Sequence, residues 1–75
     1  MIEKMRKEID AVDEKILKLL NERIKLAIAV GKIKSEKKEE VFVPVREREI
    51  ISNLKKLNSG PINDDSLSDI FREIL

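Results

Sequence analysis

Apolar residues recur from Ile2 at steps that alternate three and four, through Met5, Ile9, Val12, Ile16, Leu19, Leu26, Val30 and Ile33. Arg23 fills the one position of this series that is not apolar. Such spacing puts every member on one side of an α-helix and repeats as a coiled-coil seam does. No Pro interrupts the series and its only Gly is Gly31, so nothing ends the helix before the charged run at residues 34–40. The spacing predicts one helix over about residues 2–37. At ~1.5 Å per residue it is about 50 Å long, against a width of about 25 Å for a compact domain of this size. A rod of that length cannot bury its stripe inside its own chain. It requires a partner helix, most simply from a second copy.

Arg23 is the most informative residue of the seam. A guanidinium taken into an interior is costly unless it is paired or bound. Either it reaches past the seam to solvent or to a Glu on another helix, or something anionic binds there. The rest of the chain has to separate these two.

Composition narrows the function. The chain of 75 residues is one small domain, and chains of that size bury only ~60% of the surface their unfolded form exposes. Association with a second copy would help it. With 41% hydrophobic, 41% charged and 3% aromatic residues, the composition suits an amphipathic helical protein and argues against a β fold. Lys plus Arg (16) and Asp plus Glu (15) nearly cancel, and the signs are interleaved rather than gathered into a basic strip. That pattern argues against nucleic acid as a partner. The chain has no Cys and no His, which removes thiol chemistry, the commonest metal ligand and the commonest general base. No metal site and no cofactor are expected. The longest apolar run, residues 26–30, is far too short for a membrane span and no signal peptide is visible, so the chain reads as cytoplasmic with no membrane partner.

Beyond the first helix, residues 35–40 are a mixed-charge run that reads as a fraying end and the start of a loop. Pro44 disfavours helix in the residue before it and suits a first helical turn, so a second helix is expected over about 44–57, with Ile50, Ile51, Leu54 and Leu57 as its apolar face. Asn58, Gly60 and Pro61 mark a break. Asn63 is suited to be an N-cap, with Asp64 and Asp65 in the first turn where the helix dipole favours acids. Leu67, Ile70, Phe71, Ile74 and Leu75 follow at helical spacing, giving a third helix over about 64–75. Ala27, Ala29 and Gly31 form a small-residue patch, best read as a tight helix crossing.

The polar groups assemble into a cationic set. Lys34 lies 11 residues past Arg23, which returns it to within about 20° of the same face, roughly 16 Å further along. Two long cationic side chains so placed could hold a small dianion between them. Arg6 precedes Arg23 by about 25 Å of helix, too far to share one small ligand, although it could arrive from an antiparallel partner. Arg46 and Glu47 stand in the first turn of the second helix. Taken singly, Arg6 reads as a solvated residue, Lys34 as a cation favoured by the helix C-terminus, and Arg46 with Glu47 as an exposed pair. Together with Arg23 they make a group with one acid and no nucleophile, base or metal site. That group suits binding an anion and stabilising charge as it develops.

At these residues the sequence resembles the all-helical chorismate mutase family. Residues 5–34 carry an Arg-x-x-Ile-Asp-x-hydrophobic-Asp opening from Arg6, a later Leu-x-x-Arg ending at Arg23, and the Gly-x-x-Lys of Gly31 and Lys34. Residues 43–47 are similar to the family's Asp-Pro-x-Arg-Glu motif, and residues 60–71 to the start of its third helix. The resemblance implies an all-α fold of one long and two shorter helices over residues 1–75, paired as an intertwined homodimer that rearranges chorismate to prephenate in aromatic amino-acid biosynthesis. Carried over by position, it implies that Arg23 and the partner's Arg6 bind the two substrate carboxylates. It further implies that Lys34 bonds the ether oxygen and a carboxylate, that Arg46 supports the site, and that Glu47 takes the ring hydroxyl.

Two departures qualify the likeness. The family's Asp before the Pro is Val43 here, which leaves only the backbone to contribute to substrate binding. The family's third helix continues past the equivalent of Leu75 to a Ser and then a Gln or Glu that faces the ether oxygen. An ending at Leu75 implies either a shortened chain or a weaker, reshaped site, since one preorganised donor can be worth ~100-fold in rate. Three other readings stand beside the mutase. A lyase on the same fold would remove pyruvate from isochorismate. A non-catalytic dimerisation or regulatory module would keep the fold with a degraded pocket. A plain coiled coil is disfavoured by Arg23 in the seam and by the motif from Pro44 to Glu47.

Overall fold

The computed structural model describes residues 1–36 and 44–75. It contains three helices, α1 (Ile2–Glu36), α2 (Pro44–Leu57) and α3 (Asp64–Ile74), and among the described residues there is no strand. Two compact units divide the chain, Met1–Val41 and Phe42–Leu75. The first holds α1; the second holds α2 and α3. The apolar run at residues 41–43 lies outside the described residues.

α1 runs for 35 residues with no break, as its unbroken periodicity requires. None of its residues is buried. The seam stays in the open, with Ile9 at 58% and Leu26 at 69% exposure. Only Leu20, Arg23, Gly31 and Lys34 are half-buried, and they share an arc of about 80° at one edge of the seam. Leu17, Ile24 and Ile28 are also exposed and lie roughly 130° around the helix from the centre of the seam. From about residue 16 to 33, α1 is therefore apolar on more than one side, which is the signature of a helix covered by more than one neighbour. The seam alone did not suggest this second strip.

The α2–α3 unit carries its own small core. Pro44 opens α2 at a position where its missing N–H removes no helical hydrogen bond. α2 turns Glu47, Ile50, Ile51 and Leu54 to a half-buried face, and it packs on α3. Leu57, expected on that face, is exposed: it is the last residue of the helix and falls beyond the arc centred on Ile51 and Leu54. α3 buries Leu67 and Ser68.

Asn58 organises the connection between them. Its amide nitrogen donates to the Ile62 carbonyl at 2.8 Å and to Asp64 Oδ1 at 3.0 Å, while its Oδ1 accepts the Gly60 N–H at 2.9 Å. Gly60 takes a φ of +74°, a conformation that a side chain would disfavour. Asn63 then caps α3, its Oδ1 accepting the Ser66 N–H at 2.8 Å, with Asp64 and Asp65 in the first turn. The cap satisfies one of the N–H groups that the helix cannot pair internally.

Candidate functional site

The candidate residues fall into two groups, one on each unit. On α1, Arg23 and Lys34 lie on the same half-buried arc with Leu20 and Gly31. Helix geometry separates their α-carbons by roughly 16 Å along the axis. Two reaching side chains can close most of that distance, and Gly31 between them keeps the intervening surface low. Among the described residues neither cation makes an ion pair. Arg6 stands in the second turn of α1, exposed, with Nη1 3.4 Å from Glu3 Oε1. The structure does not bring Arg6 and Arg23 of one chain together, because 17 residues of continuous helix separate them.

On α2, Arg46 and Glu47 are neighbours in sequence but point about 100° apart around the helix. Arg46 Nη1 donates to Glu49 Oε1 at 2.8 Å, the shortest of the ion pairs among the described residues. Glu47 is half-buried and lines an open groove of about 540 Å³ between α2 and α3, together with Arg48, Ile51, Lys55, Ser68 and Arg72. Arg48 and Glu49 are both exposed. One lines the groove and the other holds Arg46. The i,i+3 spacing of Arg46 and Glu49 was the signal for the pair; the grouping of Arg48 with Arg72 had none, because it depends on α3 packing against α2. The Ser68 hydroxyl oxygen is buried without a hydrogen-bond partner. Val43 lies outside the described residues.

Chemically these groups are cations with one available carboxylate. They can hold and orient a small anion and stabilise charge that develops on it. The described residues contain no group of three His, Cys, Asp or Glu that could hold a metal ion.

Comparison with known proteins bears on the family and the fold. The chorismate mutase type II family matches residues 5–75. The chain is 46% identical over 78 residues to the bifunctional chorismate mutase/prephenate dehydratase of Aquifex aeolicus, covering 99% of this chain and 22% of that protein. It is 45% identical over 60 residues to the chorismate mutase of Methanocaldococcus jannaschii, covering 76% of this chain and 61% of that one. A solved structure of chorismate mutase from Thermus thermophilus superimposes with a TM-score of 0.96 at 37% identity, covering 97% of this chain and 91% of that one. The chain spans about a fifth of the length of the bifunctional relatives it matches. With the family's sequence pattern along nearly its whole length, and a three-helix fold that follows that of a solved relative, the chain belongs to the chorismate mutase type II family.

Proposed function

We propose that this chain rearranges chorismate to prephenate, in aromatic amino-acid biosynthesis, as an intertwined homodimer in which residues 1–75 form one catalytic domain. The observation that carries the reading is the half-buried arc of α1, where Arg23 and Lys34 stand beside Leu20 and Gly31 without acidic partners among the described residues, on a helix whose other residues are all exposed. A cation pair left in that state suits a dianionic ligand. The exposed seam supplies the reason for the dimer, since it has no cover within its own chain. A cytoplasmic setting belongs to the same proposal; among the described residues no helix is long and apolar enough to cross a membrane.

The reaction is a unimolecular pericyclic step. The ether C–O bond breaks as a new C–C bond forms, so neither a nucleophile nor a general base is needed, and the absence of His and Cys is no handicap. What the step needs is the substrate held in its compact reactive shape and a cation beside the oxygen that gains charge. In this proposal Arg23 and the partner's Arg6 clamp the two carboxylates, which fixes the shape. Lys34 donates to the ether oxygen and to a carboxylate, Glu47 accepts the ring hydroxyl, Arg46 supports the bound anion, and Val43 contributes through its backbone.

The test is chorismate consumption with identification of the product, comparing the protein with its Arg23→Ala variant. The expected product is prephenate, with kcat/KM lowered by ~100-fold or more in the variant. Pyruvate released from isochorismate would assign the lyase instead, and a folded dimer with no turnover would leave the non-catalytic module.

A further inference from the structure

The proposed site contains four cations, and they differ in how they are held. Arg23 and Lys34 have no acidic partner among the described residues, and the Arg6–Glu3 pair is open at 3.4 Å with both side chains mostly in solvent. Arg46 alone is engaged in a short charge-assisted hydrogen bond, 2.8 Å to Glu49. Residues three apart on a helix face each other whereas adjacent ones do not, so Arg46 turns to Glu49 and away from Glu47. The side chains of Arg46 and Glu49 are 61% and 56% exposed, less than those of the other two ion pairs.

We propose that Glu49 is a positioning residue that fixes the Arg46 guanidinium on one flank of α2 in an orientation suited to a substrate oxygen. The inference rests on the assignment of Arg46 and Glu47 to the substrate site made above. A guanidinium presents five donors in a rigid fork. Glu49 Oε1 takes one of these donors, at Nη1, and holds that end of the fork, while the other donors remain free for a substrate oxygen. A released Arg46 would sample several rotamers and lose orientation toward the substrate. Glu49 itself need not touch the substrate.

The experiment joins kinetics to nitrogen-15 NMR of the arginine side chains, using the full protein and its Glu49→Ala, Glu49→Asp and Arg46→Ala variants. Helical circular dichroism and the thermal midpoint are expected to stay near those of the unsubstituted protein, because both side chains are more than half exposed. Glu49→Ala is expected to raise KM for chorismate by about threefold to tenfold with little change in kcat, consistent with loss of one oriented hydrogen bond to a charged group. The same variant should release the Arg46 guanidinium from restricted motion. Glu49→Asp, which keeps the charge, should recover most of both losses, and Glu49→Ala should add nothing in an Arg46→Ala background.

Failure has two distinguishable forms. If Arg46→Ala raises KM while Glu49→Ala changes neither KM nor the Arg46 signals, the positioning role is wrong and the site assignment stands. If Arg46→Ala also leaves KM unchanged, Arg46 has no part in the substrate site and the role of Glu49 falls with it.

Discussion

α1 is more than three times as long as α3, yet it is the shorter helix that contains the buried residues. α1 leaves seam residues such as Ile16 and Leu19 at 48% and 62% exposure, and carries a second apolar strip at Leu17, Ile24 and Ile28. The α2–α3 unit keeps Leu67 and Ser68 below a tenth exposed and ties its connection with the hydrogen bonds of Asn58 and Asn63. Helical periodicity sets where a helix runs; burial needs a second surface. In α2–α3 that surface is close in sequence, one short turn away. α1 shows no such cover, and three of the candidate residues, Arg6, Arg23 and Lys34, stand on it.

The strongest way to break this contrast is to charge the seam. Leu19→Asp should dissociate the proposed dimer and remove most of the helical signal of α1 at micromolar protein, a loss of more than ~3 kcal/mol per protomer if the seam is a buried interface. Sedimentation and circular dichroism over a range of concentrations would check it; an unchanged mass would remove the seam from the interface. The unsubstituted protein should likewise show a thermal midpoint that rises with concentration.

Next in size is Leu67→Ala, which empties the one buried apolar position among the described residues of α2–α3 and should cost about 2–3 kcal/mol in chemical denaturation. A much smaller loss would show that α3 gains little from packing on α2. Asn63→Ala removes the N-cap and should cost ~1 kcal/mol, read by the same method, with the loss centred on the first turn of α3 in amide exchange. At the small end stands Asp69→Asn. It breaks an exposed pair to Arg72 at 3.4 Å and should shift stability by no more than ~0.5 kcal/mol. A larger effect would mean that Arg72, which lines the α2–α3 groove, is held more firmly than its exposure suggests.

The helices were legible because their signals are local. Pro44 at the first position of α2 and Asn63 as the cap of α3 are where the sequence rules place them, and the α1 seam is read directly from steps of three and four. Leu57 was misplaced because helical spacing alone does not say where the neighbouring helix stops covering the face. Asn58 was legible as part of a break but not as the residue that pins it, since its partners Ile62 and Asp64 are set by the path of the turn. Within the candidate site, the shared face of Arg23 and Lys34 followed from counting residues. The partnership of Arg46 with Glu49 was also open to counting, but i,i+3 pairs of opposite charge are frequent on any charged helix, so spacing alone does not single one out.

By itself, then, the sequence determined the three helices and the cationic chemistry that a chain without His or Cys can offer. These depend on backbone preferences and on periodicity along one helix, which are properties of neighbouring residues. Tertiary structure decided which residues are buried and that Glu47 and Arg48 of α2 face a groove shared with Ser68 and Arg72 of α3. Those outcomes turn on side-chain rotamers and on the packing of one helix against another. Such contacts join residues that the periodicity of a single helix does not relate.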